Sequence, residues 1–419
     1  MIKIAHATGD NSRSLNVDGR GATSDDAPRR SLRYVLVTSE VSLCVVLLIG
    51  GGLMIRTLIA LDRVDPGFRG ANVLHTPIVL PPAQYRDDQQ IAFFSTLLER
   101  TRALPGVTAA ALVMCAPLSG GCWASPIEIE GRPPLRSGGP EVNFNAITSG
   151  YFQTLGIPLL QGRDFDQRDR RGVPDVAIVN QSYVRRYFAD QTVVGQRLRE
   201  VGNGSRPWTT IVGVVGDVRR RALDTPPAPE VFRPLAQSPV NFMTLMVRVA
   251  DDGPEAPAAI RRQMQTLDRG IPLAGFGTME QVRASGLSTR QLPAVLLESF
   301  AAIALVLAVL GIYGVMAYSV SQRRGEIGIR LALGAQPSNV LWLIVRQGMI
   351  PVCAGILMGL VGALGVSRTL TGVLYGVSGT DSLTFTLVPS LLFGVALAAC
   401  VIPAQRAAAV DPVKALCDR

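Results

Sequence analysis

Residues 300–335 read FAAIALVLAVLGIYGVMAYSVSQRRGEIGIRLALGA. The apolar part of this stretch begins upstream, continues to Val320, and is followed by Arg323 and Arg324. A helix needs roughly 20 apolar residues to cross the hydrocarbon core of a bilayer, and arginine stays at the edge of that core. The stretch therefore predicts a transmembrane helix over about 292–320 that ends at a basic segment.

Three further segments have the same character, and we predict transmembrane helices at 32–58, 347–367 and 382–405. A cleaved signal peptide is the alternative for the first segment, but its apolar run exceeds the usual roughly 7–15 residues and no small-x-small cleavage site is evident. The expected fold is an α-helical membrane protein with four transmembrane helices and a large α+β periplasmic domain, residues 61–290, inserted between helices one and two. Residues 1–31 are polar, which predicts a disordered cytoplasmic leader.

Arginine and lysine are unevenly distributed around the four spans. They stand before the first span, between the second and third, and after the fourth, whereas the loop between the third and fourth holds only Arg368. The positive-inside rule therefore places both termini and the 323–346 loop in the cytoplasm. Residues 61–290 then lie in the periplasm, and we expect a multi-pass protein of the bacterial inner membrane.

Composition excludes several classes of function. Only 17% of the residues are charged, against roughly 25% in soluble domains, and the net charge of +9 is not clustered as in a nucleic-acid footprint. Lysine occurs only at Lys3 and Lys414, so the Walker A phosphate loop is absent from this sequence. Histidine occurs only at His6 and His75, and no CxxC spacing is present. We therefore expect no catalytic site, no metal, no cofactor and no nucleic-acid partner.

The inserted domain repeats a pattern of strand, helix and strand at its two ends. The pattern covers two sets of segments: 73–80, 87–104 and 107–114, then 242–249, 254–267 and 271–273. We expect the two ends to form one split α+β subdomain, with a mainly β subdomain between them.

One glycine-containing segment of the domain resembles a nucleotide-binding turn. Residues 211–217 read IVGVVGD, but the GxGxxG pattern is lacking and no helix pattern follows, so a buried strand that ends in a turn is favoured. Arg219, Arg220 and Arg221 come next. They either bind an anionic lipid or a partner or, as we favour, form a solvated loop.

The state of one cysteine pair and the role of two acids depend on their three-dimensional surroundings, which the sequence alone does not define. Cys115 and Cys122 are the cysteines of the inserted domain, and in the periplasm they form either a disulfide or two separate thiols. Glu40 and Glu298 lie inside the first and second spans, where an acid at the helix centre costs about 2.5–3.5 kcal/mol. Each acid either reaches a membrane interface, which we favour, or has a proton or substrate role.

Glycines in the first and third spans predict close helix packing, because small residues let helix backbones approach one another. They are Gly50, Gly51, Gly52, Gly355, Gly359 and Gly362.

Several motifs occur in the order found in one known family. The 300–335 stretch, with PAQRAA at 403–408 and DPVKAL at 411–416, resembles the FtsX-like permease domain of MacB-type ABC transporters. The inserted domain resembles the MacB-type periplasmic core in five segments: GYF at 150–152, LGI at 155–157, GRDF at 162–165, VN at 179–180 and VGVVGDV at 212–218. The resemblance covers about 32–416.

The branch that the sequence resembles most is the duplicated orphan permease, whose chains carry two such halves. This sequence resembles the second half, and it departs from the branch by holding one half only. It also ends LCDR at 416–419, where the family usually has Arg and Glu after the leucine. The single half raises the alternative of an inactive half-permease remnant from a truncated or split gene.

The resemblance implies a permease subunit whose 323–346 loop contacts a separate ABC ATPase, so the chain itself is not expected to be an enzyme. The candidate coupling residues are Arg323, Arg324, Glu326, Ile327, Arg330 and Leu331. Glu326 and Arg330 are four residues apart and can pair on one helical face. The alternative for this segment is a surface helix that lies on lipid.

The implied function is to couple ATP hydrolysis to motion of the periplasmic domain, for efflux or substrate extrusion. The second hypothesis is mechanical regulation of a periplasmic envelope enzyme without transport. Expected partners are an ABC ATPase, a second copy or second half-permease, a periplasmic adaptor or outer-membrane channel, and membrane lipid.

Overall fold

The computed structural model describes residues 26–132, 141–189, 192–201, 207–250, 255–322, 329, 333, 336–369, 372 and 374–408. The chain divides into two compact units. One comprises Met1–Arg56 with Pro293–Arg419 and is called the helical unit; the other, Thr57–Leu292, is called the sheet unit.

Helices and strands alternate through the sheet unit, and long helices dominate the helical unit. Within the described residues the helices are α1 (Asp26–Asp62), α2 (Asp87–Arg102), α3 (Tyr151–Leu155), α4 (Gln181–Tyr187), α5 (Ala256–Leu267), α6 (Met279–Gln322), α7 (Pro337–Thr369) and α8 (Ser382–Ala408). The strands are β1 (Val73–Val79), β2 (Val107–Val113), β3 (Ala124–Ser125), β4 (Ile127–Ile129), β5 (Val142–Ile147), β6 (Leu159–Gly162), β7 (Val176–Asn180), β8 (Arg197–Glu200), β9 (Thr209–Val215), β10 (Glu230–Pro234), β11 (Phe242–Val249) and β12 (Gly277–Thr278).

Four helices, α1, α6, α7 and α8, are long and apolar enough to cross a membrane. The segments that meet this condition are Ser31–Asp62, Gln291–Gln322, Ser338–Thr369 and Ser382–Gln405. The four predicted transmembrane helices are therefore present. Helix α7 begins ten residues before the predicted 347, because the prediction took Arg346 as the boundary of the span, whereas the helix starts at Pro337 and continues through this arginine.

The core of the helical unit forms where α1 packs against its neighbours. Val41 and Val45 of α1 are fully buried, with Val352 of α7 and Cys400 of α8 in the same cluster. A methyl group at Gly359 of α7 would lie 2.6 Å from Cβ of Val45, so only a hydrogen fits there. The predicted close helix packing thus occurs within this chain, between the first and third spans.

The twelve strands of the sheet unit form one sheet. Its order is β12-β1-β11-β2-β5-β10-β7-β9-β8-β4, with β3 beside β5 and β6 beside β9. The pairs β5–β10 and β7–β9 are parallel, and the other pairs are antiparallel. Strands from the two ends of the domain, β1 and β2 with β11 and β12, are neighbours, which is the split arrangement that the sequence predicts.

The α+β end of the sheet is covered by α2 and α5, which share one buried cluster. Phe94 and Leu97 of α2 are fully buried there with Ile260 of α5 and Leu245 of β11. The middle of the domain is mainly β, with the two short helices α3 and α4 packed on it. The fold class predicted from the sequence is confirmed.

One strand assignment from the sequence is wrong. Residues 271–273 do not form a strand, and the last strand is β12, a few residues further on. Ile271 is 5% exposed and fills the core between helix α5 and the sheet from a loop. Pro272 lacks the N–H that a ladder needs, so burial of Ile271 produced the apolar signal without strand pairing.

Candidate functional site

The segments by which the chain enters and leaves the sheet lie side by side. Strand β1 follows α1, β12 precedes α6, and the two strands pair antiparallel through Leu74↔Thr278 and His75↔Gly277. We call residues 62–75 and 277–283, with the side chains that bind them, the junction. The junction lies wholly in the sheet unit.

An ion pair joins the last residue of α1 to the second turn of α6. Arg283 Nη2 donates to Asp62 Oδ1 at 3.0 Å and also to the Asp62 carbonyl oxygen. Below this pair Met279 is 1% exposed, and its Cβ would lie 3.2 Å from a methyl group at Gly70. The end of α1 and the beginning of α6 are therefore fastened to each other by charge and by packing.

Arg248 of β11 binds three backbone carbonyls of the junction and its support. Its Nε donates to Thr154 O at 2.9 Å, Nη1 to Ala71 O at 2.9 Å, and Nη2 to Arg69 O at 2.8 Å. Burial lowers the pKa of Arg248, with the nearby charge of Arg69 acting in the same direction. The planar fork of guanidinium donors suits this task, because a lysine ammonium could not reach three fixed acceptors in one plane.

The linker after α1 is held by backbone contacts as well. Arg69 N donates to Leu155 O at 2.7 Å, and Arg219 N donates to Pro66 O at 2.9 Å. Between them Gly67 has φ +82°, and a Cβ atom there would overlap the carbonyl oxygen of Asp217. The linker therefore passes so close to residue 217 that glycine is required.

The predicted coupling residues cannot be placed. Arg323, Arg324, Glu326, Ile327, Arg330 and Leu331 all lie outside the described residues. Next to this segment, the Arg33 guanidinium of α1 lies over the Tyr318 ring of α6, 4.1 Å from its centroid. This cation–π contact joins the start of the first span to the end of the second.

The two acids in the spans have different surroundings. Glu40 is half-buried, and a methyl group at Gly311 of α6 would lie 2.5 Å from its Oε2, so the carboxyl group occupies the space left by that glycine. Glu298 is exposed, and its Cγ would lie 3.9 Å from a methyl group at Gly51. The structure does not bring the two acids together as one site.

Cys115 and Cys122 are joined in a disulfide in the structure, with their Cα atoms 6.0 Å apart. The bonded loop is attached to the sheet through Asn145, which accepts from Cys115 N and donates to Cys115 O, both at 3.0 Å. Asn145 also donates to Glu230 Oε1 at 3.1 Å. The disulfide is thus anchored to a buried polar group of β10.

The solvated-loop interpretation of residues 219–221 is wrong for two of the three arginines. Arg219 Nη1 donates to the carbonyls of Leu223 and Thr225, at 2.7 and 3.0 Å. The Arg220 side chain is 10% exposed and pairs with Glu230, and burial lowers the pKa of Arg220 to about 10. Only Arg221 is exposed. The loop folds inward because Glu230 and free carbonyls offer buried partners for its guanidinium groups.

Sequence reasoning missed Arg248, Arg283 and Arg56. Arg56 of α1 pairs with Asp381, which also accepts from Thr384 N at 2.9 Å and Thr384 Oγ1 at 2.8 Å at the start of α8. An aspartate directly before an apolar helical run is a signal for a helix N-cap that was available in the sequence. The partners of the three arginines are distant along the chain, so no local pattern marks them.

The described residues define a class of protein: a multi-pass membrane protein with a large α+β domain between the first and second of four transmembrane helices. Residues 43–267 match the family described as MacB-like periplasmic core domain, and residues 298–412 match the FtsX-like permease C-terminal family. The chain belongs to the MacB-like permease family. The resemblance to the FtsX-like permease domain and to the MacB-type periplasmic core is confirmed, and the fold fits an inner-membrane protein.

Curated relatives carry names that describe export. The macrolide export ATP-binding/permease protein MacB 1/2 of Paracoccus denitrificans is 29% identical over 305 residues, which cover 67% of this chain and 43% of that protein. The pyoverdine export ATP-binding/permease protein PvdT of Pseudomonas syringae pv. tomato is 28% identical over 298 residues, covering 67% of this chain and 42% of that protein. The chain thus spans about two fifths of the length of the curated relatives that it matches.

Two solved structures are also similar. The periplasmic region of MacB from Actinobacillus actinomycetemcomitans aligns with a TM-score of 0.36 and 14% identity over 52% of this chain and 94% of that one. The extracellular domain of the noncanonic ABC-type transporter YknZ from Gram-positive bacteria aligns with a TM-score of 0.32 and 13% identity over 48% of this chain and 100% of that one.

Proposed function

We propose that the chain is the permease subunit of an ABC-type export system and that it transmits the work of a separate ATPase to its sheet unit. Membership of the MacB-like permease family supports this proposal. Since the sequence has no Walker A loop, ATP hydrolysis belongs to a partner.

The proposed orientation has both termini and the 323–346 loop in the cytoplasm and residues 61–290 in the periplasm. The distribution of arginine around the spans supports it. The Cys115–Cys122 disulfide agrees with this orientation, because disulfides persist in the periplasm and are rare in the cytosol.

The ATPase partner is proposed to bind the 323–346 loop through Arg323, Arg324, Glu326, Ile327, Arg330 and Leu331. This loop directly follows α6, and Tyr318 near the end of that helix contacts Arg33 of α1. A displacement of the loop would therefore act on the first and second spans together.

The junction is the observation that carries the proposal. Helix α1 leads into it and α6 leaves it, and both helices continue into the helical unit. The Asp62–Arg283 pair fastens the two helix ends to each other, and Arg248 fastens the linker to β11. Motion of either helix is thereby passed to a twelve-stranded sheet rather than lost in a loose linker.

Assembly and cargo belong to the same proposal. An ABC ATPase pair presents two docking surfaces, so one chain with one coupling loop is proposed to act as a two-fold dimer or with another half-permease. A periplasmic adaptor or outer-membrane channel would receive the cargo. Because relatives are named for macrolide and pyoverdine export, we propose a large amphiphilic small molecule as cargo.

An exchange of charges at the junction tests the proposal. Asp62→Arg and Arg283→Asp each break the pair, and the double variant restores it with the signs reversed. The side chains are 69% and 38% exposed, so each single change should cost at most about 1 kcal/mol of stability. In proteoliposomes that hold the chain and its co-purified ATPase, we expect each single variant to retain ATP hydrolysis and lose most macrolide transport, and the double variant to recover it.

The matched control is Arg100→Gln, which removes one exposed arginine outside the junction and its bond to Thr266 at 3.0 Å. It should leave transport unchanged. Single variants with full transport would contradict the role of the junction. A system that never moves cargo but captures a cell-wall hydrolase in an ATP-dependent manner would favour the regulatory alternative instead.

A further inference from the structure

A cavity of about 360 Å³ lies in the sheet unit, between strand β2 and helix α3. Strand β2 pairs with β5 only at Val113↔Ile147, so the two strands diverge toward the beginning of β2 and leave an open space. The lining residues are Arg102, Val107, Thr108, Ala109, Ala110, Ser149, Gly150, Gln153 and Thr154. The volume falls within the roughly 300–1,000 Å³ that is typical of small-molecule sites.

Arg102 supplies a fixed cation to this cavity. Its Nε donates to Ala110 O at 2.9 Å and its Nη2 donates to Ser149 O at 2.6 Å, which hold the guanidinium plane across the cavity wall. A guanidinium has five N–H donors, so these two bonds leave three for another acceptor. Within the described part of the chain, Nη1 donates to no protein group. Arg102 is therefore oriented before any ligand arrives, which lowers the entropic cost of binding.

Two neutral polar side chains lie beside Arg102. The Ser149 hydroxyl and the Gln153 side-chain amide line the cavity and make no hydrogen bond among the residues that the structure describes. The remaining lining side chains are small or already engaged: Thr154 Oγ1 donates to Gly150 O at 2.8 Å, and Thr108 Oγ1 donates to Arg248 O at 3.1 Å. The cavity thus offers donors to a ligand together with a short apolar wall formed by Val107 and Ala109.

The charge balance favours a ligand with one negative charge. Arg102 is the charged residue of the lining, and Glu99, one turn earlier on α2, interacts with it electrostatically. Arg248, the neighbouring cation on the adjacent strand β11, is committed to the carbonyls of Thr154, Ala71 and Arg69. One cation partly balanced by a nearby acid suits a carboxylate better than a doubly charged phosphate.

We propose that this cavity, which we call the Arg102 cavity, binds a carboxylate that accepts hydrogen bonds from the Arg102 guanidinium and from the side chains of Ser149 and Gln153. The carboxylate belongs either to a free small organic acid or to the C-terminus of a peptide, since the chemistry at the guanidinium is the same. The proposal rests on the sheet unit alone and does not depend on the transport function.

The test measures binding of defined probes to the full chain in nanodiscs by saturation-transfer NMR. N-acetylvaline represents the free acid, and acetyl-Ala-Ala-Val represents the peptide C-terminus; their amides are the uncharged controls. We expect at least one acid to bind about tenfold more tightly than its amide, and the tighter acid identifies the source of the carboxylate. Acids that bind no better than their amides would overturn the proposal.

Variants then assign the binding to this cavity. Arg102→Gln should remove the preference for the acid, whereas Arg100→Gln, on the same helix but outside the lining, should leave it unchanged. Replacing Arg102 also removes its hydrogen bonds to two backbone carbonyls, so a second variant tests the cavity without that change. Gln153 is exposed on α3, and in Gln153→Trp the indole would fill the cavity. We expect Gln153→Trp to abolish binding at an unchanged unfolding temperature. Undiminished binding in Gln153→Trp would place the site elsewhere and refute the assignment.

Discussion

Gly67 is a residue of the junction at which the structure leaves no space for a side chain. Its φ of +82° lies in the left-handed region, and a Cβ atom would overlap the carbonyl oxygen of Asp217. Gly106 has a similar φ of +79° but nothing within 4 Å of its Cβ position. Both Gly→Ala changes pay the left-handed penalty of about 1–2 kcal/mol, and only Gly67→Ala adds a collision with the backbone.

We therefore expect Gly67→Ala to lower the free energy of unfolding by about 1–3 kcal/mol more than Gly106→Ala does. Thermal unfolding of the full chain in detergent measures the difference. Equal losses in the two variants would mean that the linker does not pass residue 217 as closely as the structure has it.

His75 gives the junction a pH dependence. Its ring lies against β12, where a methyl group at Gly277 would come 2.6 Å from His75 Nε2. Burial lowers the pKa of His75 below its ordinary value of 6.5, so the folded state binds the proton less readily than the unfolded state. The stability is therefore fully present above pH 6.5 and decreases as the pH falls from about 6.5 toward the lowered pKa.

We expect the unfolding temperature of the full chain to fall between pH 7.5 and pH 5.5, and His75→Gln to show a smaller fall. Carboxylates that titrate at lower pH affect both proteins equally, so the difference between the two slopes isolates His75. Identical slopes would show that His75 is equally free to protonate in the folded and unfolded states.

Helix α7 packs closely against α1 because glycines lie at their contact. Methyl groups at Gly355 and Gly359 would lie 2.8 Å from Thr38 O and 2.6 Å from Val45 Cβ, whereas nothing lies within 4 Å of the Cβ position of Gly365 on the same helix. Both Gly359→Ala and Gly365→Ala gain helix propensity, so their difference reports packing alone.

We expect Gly359→Ala to destabilise the helical unit by about 1–3 kcal/mol relative to Gly365→Ala, measured by thermal unfolding in detergent. Gly355 and Gly359 of α7 contact α1 within the chain, so these two glycines are not free to serve a dimer contact in the same way. A Gly359→Ala protein as stable as Gly365→Ala would indicate that α1 and α7 pack less tightly than in the structure.

Secondary-structure elements with a strong local sequence pattern could be predicted. Elements that form only by pairing with a distant strand could not. The four spans and strand β11 follow from runs of apolar residues and from alternation, which are local properties. Strand β12 is two residues long and exists because β1 offers it a free edge, so no pattern in residues 277–278 could announce it. The parallel pairing of β5 with β10 joins segments more than 80 residues apart and likewise has no local signal.

The same distinction applies to the candidate site. The basic segment around Arg323 could be predicted from the sequence, because charged residues directly after an apolar span are a local signal. Arg248 and Arg283 carry most of the junction, yet each is one arginine among many until β11 and α1 place carbonyls and a carboxylate beside it. The contacts that hold the junction therefore join segments that are distant along the chain, and no local sequence pattern predicts them.

For the whole molecule, the remaining question is which side of the membrane holds the sheet unit. In the proposed topology the chain crosses the membrane four times, so the segments before α1 and after α8 lie in one compartment in either orientation. Arginine on short flanking segments resists translocation, and those segments lie before α1, between α6 and α7, and after α8. This distribution predicts that Gln336, before α7, is cytoplasmic and that Gln161, on β6, is periplasmic.

Cysteine labelling tests this orientation because both glutamines are exposed and differ only in position. In a chain whose Cys353 and Cys417 are replaced by alanine, a membrane-impermeant maleimide should label Gln161→Cys in intact spheroplasts. Gln336→Cys should react only after lysis, since the bilayer then no longer shields the cytoplasmic face. Labelling of Gln336→Cys in intact spheroplasts, with protection of Gln161→Cys, would reverse the orientation. It would also remove the physical basis for placing an ATPase on the 323–346 loop, because ATP and its hydrolysing partner are confined to the cytoplasm.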